Sequence, residues 1–386
     1  MKYFFIAGEP SGDLHARHLM DAIKEKDTEA EIRYWYRPEL AYMGFVSVAM
    51  HLPEILRGMK ECRDAIQEFS PDRLVLVDYP GFNLKIAAWF HKTFVDVHGS
   101  AATPPPQVVY YIPPKIWAWK EGRIAQIRKY VDKVLSILPF EVQWYAGRYD
   151  YHVDYVGNPT LDEIDLFRKD LLPEEVEAWR QELGLGKEKI VALLPGSRRQ
   201  EIEQNLPMML RAASKAGGDF RYVIASAPNI SVDLYTHVMD TALGLGNMEF
   251  RDKLILAPCH GSKSSFMLLH SAHAALVTSG TATLETAIMG VPQVVCYAMR
   301  MGKVVSWLRK ILLKVPYISL VNLIAGKEVV PELVAGGLTQ EALDKSLLSV
   351  LADSDYRMKQ KEGYGEMMRL LGEPGAPEKA AEKIIR

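Results

Sequence analysis

The sequence predicts an α/β protein with two tandem domains, each built on a doubly wound parallel sheet. Short apolar runs of strand length alternate with longer amphipathic stretches of helical period in the first half, and the second half repeats this alternation. Turn residues such as Pro and Gly end several of the apolar runs. A chain of 386 residues also exceeds what one hydrophobic core usually supports, which favours two domains.

The predicted strands follow one another in order along the chain. The first lies at 3–7, and a glycine-containing turn and a helical pattern to about Lys24 follow it. The others lie at 32–36, 73–78, 108–112 and 133–137 in the first half, and at 190–194, 222–225, 254–257, 274–278 and 293–297 in the second. The polar stretch between the two series places the domain boundary near residues 158–165.

Composition excludes several other classes of protein. Hydrophobic residues make up 48% of the chain and charged residues 24%, which is typical of a folded protein and not of a disordered one. A formal net charge of -2 argues against general nucleic-acid binding. The three cysteines are far apart and lack metal-ligand spacing, which favours a reduced cytosolic setting. Because no apolar run approaches the roughly 18 residues of a membrane span, we expect a soluble or peripheral protein.

Ligands bind doubly wound sheets at the loops that follow the strands. The first such loop, 7–13, contains Gly8 and ends with Ser11 and Asp13, either of which can cap the next helix. It lacks the spacing of the dinucleotide-binding fingerprint. An anion site at the helix N-terminus and an ordinary capped turn both remain open for this loop.

The loop after the strand at 190–194 is a better candidate for phosphate binding. Gly196, Ser197 and Arg198 follow a proline there, so the turn presents free backbone amides and the N-terminus of a helix. Arg198 and Arg199 add planar guanidinium groups that suit a diphosphate. The alternative is a surface loop with solvated arginines.

A third loop combines small hydroxyl residues with an acid. Ser279, Gly280 and Thr281 open a helix after the strand at 274–278, and Glu285 lies about one turn into that helix. The hydroxyls can contact phosphate oxygens, and the carboxylate can accept hydrogen bonds from a ribose diol. An N-cap followed by a first-turn acid explains the same residues without a ligand.

Two aspartates bracket the strand at 73–78. Asp78 ends it and faces the ligand edge of the sheet, where it could act as a general base, whereas Asp72 precedes it at the far edge and is expected to be structural. A helix cap or loop anchor is the alternative for Asp78. Trp117 lies in an aromatic, basic segment at 110–120 that could line a sugar or acyl-chain site or could simply pack in the core.

Two further stretches are more apolar than a core requires. One, at 43–50, leads into the apolar residues Leu52, Ile55, Leu56 and Met59. The other, at 303–314, has the pattern of a helix with an apolar face and a lysine face. A cationic amphipathic helix suits an anionic membrane surface, although a helix packed on its own domain shows the same pattern. The residues expected at the membrane or the acceptor are Met43, Phe45, Val46, Val48, Leu52, Trp117, Lys303, Trp307 and Lys310.

Taken in order, these loops resemble the lipid-A-disaccharide synthase family over nearly the whole chain. One matching loop would be a weak indication, but the ordered series is specific. The matching stretches are Ala-Gly-Glu-Pro-Ser-Gly-Asp at 7–13, Met-Gly-Phe at 43–45, Asp-Tyr-Pro-Gly-Phe-Asn at 78–83, Pro-Lys-Ile-Trp-Ala-Trp at 114–119, Leu-Pro-Phe-Glu at 138–141, Leu-Leu-Pro-Gly-Ser-Arg at 193–198, Ser-Gly-Thr-Ala-Thr-Leu-Glu at 279–285, and Asn322 with Leu323.

The resemblance implies two Rossmann-like domains of the GT-B type with an interdomain cleft. The acceptor-binding domain would span 1–160 and the UDP-sugar-binding domain 161–345, with a helical segment at 346–386 returning to the first domain. It also implies an inverting hexosyltransferase that transfers 2,3-diacylglucosamine from UDP-2,3-diacylglucosamine to 2,3-diacylglucosamine 1-phosphate (lipid X). The products are the β-1,6-linked lipid A disaccharide 1-phosphate and UDP, and neither a cofactor nor a metal is expected.

The family analogy also assigns residues and a location. The enzyme would work on the cytoplasmic face of the inner membrane as a peripheral protein, and a homodimer remains open. The residues implied in UDP binding are Gly196, Ser197, Arg198, Ser279, Gly280, Thr281, Glu285 and Asn322.

Two departures from the family pattern affect the first domain. Many relatives carry an acid where this chain has Gly81, so we expect the base to be Asp78, with Glu9 second and Asp72 third. Relatives also have a Gly-rich connection where the segment 35–38 runs directly into Glu39. This shortening puts part of the first-domain site in question.

Two other functions fit the same sequence features. A soluble UDP-sugar enzyme, either an epimerase or another glycosyltransferase, would use the same nucleotide loops. A two-lobed binding protein without catalysis would also show tandem doubly wound domains. UDP binding separates the binding protein from both enzymes, and a requirement for acylated substrates separates the two enzymes.

Overall fold

The chain forms two α/β units, each with its own parallel sheet. The structure is a computed structural model, and it describes residues 1–40, 51–96, 105–244, 247–258, 262–278, 280–298 and 316–386. The first unit comprises Met1–Pro159 together with Glu373–Arg386, and the second comprises Thr160–Gly372. Within the segment 346–386 that was expected to return to the first domain, Glu373–Arg386 belong to the first unit.

The first unit contains a six-stranded sheet in the order β2-β1-β3-β4-β5-β6. All pairings are parallel, and Val77 at the end of β3 lies opposite Tyr111 at the end of β4. Every residue of β3 is buried, as expected for a strand covered by helices on both faces. The strands are β1 Lys2–Ala7, β2 Glu31–Tyr36, β3 Arg73–Val77, β4 Gln107–Tyr111, β5 Lys133–Ser136 and β6 Asp154–Tyr155.

Helices cover both faces of this sheet. Three of them begin with a proline directly after a strand-end loop, because the first helical position does not need an amide hydrogen. The helices are α1 Pro10–Lys26, α2 Leu52–Phe69, α3 Pro80–Phe90, α4 Ile124–Tyr130 and α5 Pro139–Tyr149, with short turns of 3-10 helix at Pro38–Leu40 and Glu121–Arg123 and of π-helix at His91–Val95.

The second unit repeats the architecture with the order β12-β11-β10-β7-β8-β9, again parallel throughout. Its strands are β7 Lys189–Leu194, β8 Phe220–Ser226, β9 Leu254–Pro258, β10 Ala272–Val277, β11 Gln293–Tyr297 and β12 Glu332–Val334. Its helices are α6 Pro159–Asp170, α7 Pro173–Glu182, α8 Arg199–Ala216, α9 Val232–Leu243, α10 Met248–Arg251, α11 Ser262–Ser271, α12 Thr281–Ile288, α13 Leu320–Ala325, α14 Gln340–Ala352 and α15 Ser354–Leu371, with a 3-10 turn at Ala335–Gly337. The predicted fold class, two doubly wound parallel sheets in tandem, is confirmed.

The last helix, α16 Ala376–Ile385, belongs to the first unit although it follows the second in sequence. Ala380, Ala381 and Ile384 are fully buried in the apolar cluster that α1 forms with the sheet. The carbonyl oxygen of Ile384 accepts a hydrogen bond from Nε of Arg73 at 3.2 Å, and Lys383 pairs with Asp154 at 2.7 Å. The C-terminal helix therefore completes one face of the first sheet.

No helix in the described part of the chain has the length and hydropathy that crossing a bilayer would require.

Candidate active site

The carboxyl end of β3 carries Asp78 in a conformation that few residues adopt. The φ angles of Asp78 and Tyr79 are 46° and 48°, in the left-handed region that costs free energy for a residue with a side chain. Two hydrogen bonds to the carbonyl oxygen of Asp78 hold this turn, from Nδ2 of Asn83 at 2.7 Å and from the hydroxyl of Tyr110 at 2.8 Å. The surrounding structure thus fixes the backbone from which the Asp78 side chain projects.

The carboxyl group of Asp78 sits in a partly desolvated, positively charged environment. Burial raises its pKa above the usual value for aspartate, while the nearby charges of Lys115 and Arg123 offset part of that shift. A general base works best when its pKa lies closer to the operating pH. The environment of Asp78 moves its pKa in this direction and surrounds it with cations that would attract an anionic substrate.

The loop after β1 lies against the loop after β3. A Cβ atom on Gly8 would come within 2.4 Å of a ring carbon of Tyr79, so the two loops pack as closely as glycine allows. Tyr79 in turn stacks on Phe82 with their ring centroids 5.3 Å apart. Glu9, the residue before α1, therefore lies at the same edge of the sheet as Asp78.

Asp72 lies at the opposite end of the strand that leads to Asp78. Its Oδ2 accepts a hydrogen bond from the amide of Lys2 at 2.8 Å, and its own amide donates to the carbonyl of Lys2 at 2.9 Å. Its carbonyl also accepts from the amide of Gln107 at 3.0 Å. These contacts join β1, β3 and β4 at the edge away from Asp78, as expected for a structural residue.

Trp117 is an internal anchor of the loop after β4. It is 7% exposed, and its indole Nε1 donates to Oε1 of Glu141 at 2.6 Å. Glu141 is fully buried, and its other oxygen accepts a hydrogen bond from the hydroxyl of Ser136. Burial raises the pKa of Glu141 to about 7, although these hydrogen bonds act in the opposite direction. The exposed tryptophan of this loop is Trp119, at 39%.

In the second unit, the turn after β7 is covered by a carboxylate from α8. Oε2 of Glu201 accepts hydrogen bonds from the amides of Ser197 at 3.1 Å and Arg198 at 3.3 Å. Gly196 has a φ of 116°, and a Cβ there would lie 2.6 Å from Oε2 of Glu201. Glu201 thus occupies the amides that were expected to bind phosphate, while the guanidinium of Arg198 is exposed beside it at 3.4 Å.

The loop after β10 meets the loop after β7. The amide of Thr278 donates to the carbonyl of Leu194 at 2.9 Å, which brings the two predicted phosphate-binding loops to one edge of the sheet. Gly280 adopts a φ of 128°, and the exposed Thr281 begins α12. Ser279, the remaining residue expected in this loop, lies outside the described residues.

Glu285 lies one turn into α12, and its acidity is strongly altered. Burial, with a smaller contribution from the charge of Glu163, raises its pKa to about 7. Its side chain keeps partial contact with solvent, unlike that of Glu141. A carboxyl group in this position can still accept hydrogen bonds from a ligand.

Asn322 was expected to contact UDP, but the nitrogen and the oxygen of its side-chain amide are both hydrogen-bonded within the second unit. Nδ2 donates to the carbonyl of Val330 at 2.9 Å and to Oε1 of Glu332 at 2.8 Å. Oδ1 accepts from the amides of Val329 at 2.7 Å and Val330 at 3.0 Å. Because Asn322 is 0% exposed, its role in this structure is to hold the segment that leads to β12.

Most of the residues expected at the membrane or the acceptor cannot be placed. Leu52 is described, and it is 45% exposed at the first position of α2. The residues that lie outside the described ranges are Met43, Phe45, Val46, Val48, Lys303, Trp307 and Lys310.

Several residues at these edges were not singled out from the sequence. Asn205 is buried, and its Nδ2 donates to the carbonyl of Glu201 at 2.8 Å while its Oδ1 accepts from the amide of Ala298 at 2.6 Å. Glu141 and Lys115 lie inside family motifs, whereas Arg123 had no signal beyond its charge. Among the described residues, no group of three or more His, Cys, Asp or Glu side chains is placed to hold a metal ion.

Comparison with known proteins identifies the family. The family model of lipid-A-disaccharide synthetase matches residues 3–383. The chain belongs to the lipid-A-disaccharide synthase family. A lipid-A-disaccharide synthase from Myxococcus xanthus is 33% identical over 401 residues, which cover 98% of this chain and 96% of the relative. The chain is therefore a glycosyltransferase of lipid A biosynthesis.

Solved structures with low sequence identity share the fold. The UDP-GlcNAc 2-epimerase of Methanocaldococcus jannaschii, in complex with UDP-GlcNAc and UDP, has a TM-score of 0.63 and 13% identity and covers 100% of this chain and 99% of its own. The UDP-GlcNAc 2-epimerase of Neisseria meningitidis, bound to UDP-GlcNAc, has a TM-score of 0.61 and 14% identity, with coverage of 100% and 98%. These matches support two Rossmann-like domains of the GT-B type.

Proposed function

We propose that this chain transfers 2,3-diacylglucosamine from UDP-2,3-diacylglucosamine to the 6-hydroxyl of lipid X, with Asp78 as the general base. The observation that carries this proposal is the environment of Asp78. Its carboxyl group is held by a fixed left-handed turn at the ligand edge of the first sheet, has a raised pKa and is flanked by two cations. Transfer to the 6-hydroxyl needs a base that accepts its proton, and the two cations suit an acceptor that carries a phosphate.

In the reaction, the oxygen of the 6-hydroxyl of lipid X attacks the anomeric carbon of the donor from the face opposite UDP. The bond between that carbon and the β-phosphate oxygen breaks, and UDP leaves with the bonding electrons. The proton of the hydroxyl passes to the carboxylate of Asp78. The configuration at the anomeric carbon is inverted, which accounts for a β-1,6 linkage.

The second unit would hold the donor. Arg198 and the amides of the turn after β7 would contact the diphosphate, and Thr281 would add a hydroxyl contact. Glu285 would accept hydrogen bonds from the ribose hydroxyls. Since Glu201 occupies the amides of Ser197 and Arg198 in this structure, its carboxylate would have to withdraw as the diphosphate arrives.

The acylated substrates place this reaction at a membrane surface. Under this proposal the protein works at the cytoplasmic face of the inner membrane without spanning it. The exposed Leu52 at the start of α2 fits a surface that meets acyl chains.

The experiment that tests this function measures UDP release from UDP-2,3-diacylglucosamine with and without lipid X. We expect release that depends on lipid X and yields a disaccharide 1-phosphate. Release that is independent of lipid X, or a changed sugar in place of a disaccharide, would contradict the proposal and favour other UDP-sugar chemistry. A protein that binds UDP but turns over no donor would also contradict it.

A further inference from the structure

Three cations lie on the loop that follows β4, close to the proposed base. This cationic loop, residues 113–123, carries Lys115, Lys120 and Arg123. The charges of Lys115 and Arg123 offset part of the rise that burial causes in the pKa of Asp78. Burial lowers the pKa of Lys120, and the charge of Arg123 lowers it further. The three cations and Asp78 therefore share one electrostatic environment.

The loop holds these cations on a rigid frame. Ile116 and Trp117 are buried, 1% and 7% exposed, and Trp117 is tied to Glu141 by its indole. The amides of Ala118 and Trp119 donate to the carbonyl of Lys115 at 3.0 and 3.2 Å. The cations thus project from a loop whose path the core fixes.

Lys115 and Arg123 interact with the charge of Asp78 without forming a salt bridge to it. None of the three cations of the cationic loop forms a salt bridge with another described residue. The one acid of the loop, Glu121, accepts hydrogen bonds from Nε of Arg148 and from the hydroxyl of Tyr149, both at 2.5 Å. The positive charge of Lys120 and Arg123 instead rests against the ring of Trp119, at 4.4 and 5.2 Å from its centroid.

Arg123 also has a hydrogen-bonding group that the described residues leave unused. Its Nη1 is buried and has no hydrogen-bond partner among them. A buried donor without a partner costs free energy, so a ligand oxygen that fills this position binds favourably. A phosphate oxygen is the acceptor that matches guanidinium geometry best.

We propose that Lys115, Lys120 and Arg123 form a subsite for the phosphomonoester of the acceptor sugar. This inference rests on the proposed function, in which Asp78 accepts the proton of the 6-hydroxyl. In glucosamine 1-phosphate the pyranose ring separates that hydroxyl from the phosphate. The cations that bind this phosphate must therefore lie some distance from the carboxyl group of Asp78. Lys120 and Arg123, which pack against the ring of Trp119, meet this requirement.

The test compares two acceptors that differ only in this phosphate: lipid X and its dephosphorylated form. In Arg123→Gln and in Lys120→Gln, we expect the KM for lipid X to rise about 10- to 100-fold for the first and less for the second, because charged hydrogen bonds are lost. The KM for the dephosphorylated acceptor and for the donor should not change. Lys129→Gln, which removes an exposed cation of the neighbouring helix α4, is the matched control and should behave as wild type.

Three results would overturn the subsite. An equal loss with both acceptors would assign Arg123 to stability or to the acidity of Asp78, and no loss with either would assign it no role. If only binding to phosphatidylglycerol vesicles weakens, relative to phosphatidylcholine vesicles, the loop recognises a membrane surface and not the acceptor.

Direct binding keeps the subsite testable even if transfer fails. Wild type and Arg123→Gln can be titrated with lipid X and with the dephosphorylated form in the same detergent micelles. A preference for lipid X that disappears in Arg123→Gln supports the subsite whether or not the wild type makes a disaccharide. A preference that survives contradicts it, while absent transfer by itself counts only against the proposed function.

Discussion

The carboxyl edges of the two sheets offer a ligand different kinds of contact. At the first edge both backbone groups of Asp78 are already hydrogen-bonded. Its amide donates to the carbonyl of Tyr111 at 3.2 Å, and its carbonyl accepts from Asn83 and Tyr110. Asp78 therefore offers a ligand its side chain, beside the charges of Lys115 and Arg123. At the second edge Gly196 and Gly280 adopt left-handed φ angles in the two turns, and the carboxylate of Glu201 covers the amides of Ser197 and Arg198 in the turn after β7.

This difference separates chemistry from nucleotide binding. Fixed side chains suit a step in which one proton must move to one atom. Backbone amides at a helix N-terminus suit a diphosphate, whose charge is spread over several oxygens. We therefore expect substitutions at the first edge to change turnover and acceptor binding, and substitutions at the second edge to change the affinity for UDP.

Asp78→Asn tests the first edge and is expected to have the largest effect on turnover. The change keeps the size of the side chain but removes the proton acceptor, so we expect kcat to fall roughly 10²- to 10⁴-fold with the affinity for UDP unchanged. In the wild type, kcat should fall as the pH decreases through the raised pKa of Asp78, since the base must be ionised. Steady-state kinetics with both substrates at saturation measure both effects.

The matched control is Asp72→Asn, the same change at the other end of β3. Because Oδ2 of Asp72 accepts a hydrogen bond from the amide of Lys2, we expect a small loss of stability and a nearly normal kcat. If Asp78→Asn also turned over normally, Asp78 would not be the base and Glu9 would be the next residue to test.

Arg198→Ala tests the second edge and has an intermediate expected effect. The exposed guanidinium lies next to the turn amides, so its loss should raise the Kd for UDP about 10- to 100-fold while uridine binds as before. Arg199→Ala is the control: both arginines are exposed, but Arg198 pairs with Glu201, whose carboxylate covers the turn amides, whereas Arg199 pairs with Glu203 at 2.8 Å. Equal losses in the two variants would point to general electrostatic attraction and not to a diphosphate contact. Isothermal titration calorimetry gives both constants.

The strands and the positions of the strand-end loops could be read from the sequence because buried parallel strands are continuous apolar runs. Arg73–Val77 and Lys189–Leu194 are such runs, and each leads directly to a candidate site residue or loop. The edge strands β6 and β12 were not predicted, since two and three residues are too few for a periodic pattern.

The site was predictable in position but not in detail. The left-handed backbone of Asp78 was not predicted, because it depends on Tyr110 from the neighbouring strand as well as on the nearby Asn83. Likewise, the sequence indicates a helix N-terminus after β7, but the occupation of its amides by Glu201 depends on the turn that Gly196 permits. The glutamate at the third position of α8 is the signal that could have suggested it.

Glu285→Gln is expected to have the smallest effect, and it tests whether the second edge binds the nucleoside. Burial raises the pKa of Glu285 to about 7, so the ionised form that best accepts hydrogen bonds from a ribose increases as the pH rises through 7. The affinity for uridine should therefore increase between about pH 6 and pH 8 in the wild type. Uridine is the better probe because the phosphates of UDP themselves titrate in this range.

In Glu285→Gln, uridine should bind about tenfold more weakly at the upper end of that range, and its affinity should no longer depend on pH. Glu141→Gln is the control at the first edge: Glu141 has the same raised pKa of about 7, but its oxygens already accept from Trp117 and Ser136. A pH dependence that disappears in Glu141→Gln and persists in Glu285→Gln would reverse the assignment. The group whose ionisation affects uridine binding would then lie in the first unit. The assignment of catalysis to the first edge and of nucleotide binding to the second would be wrong.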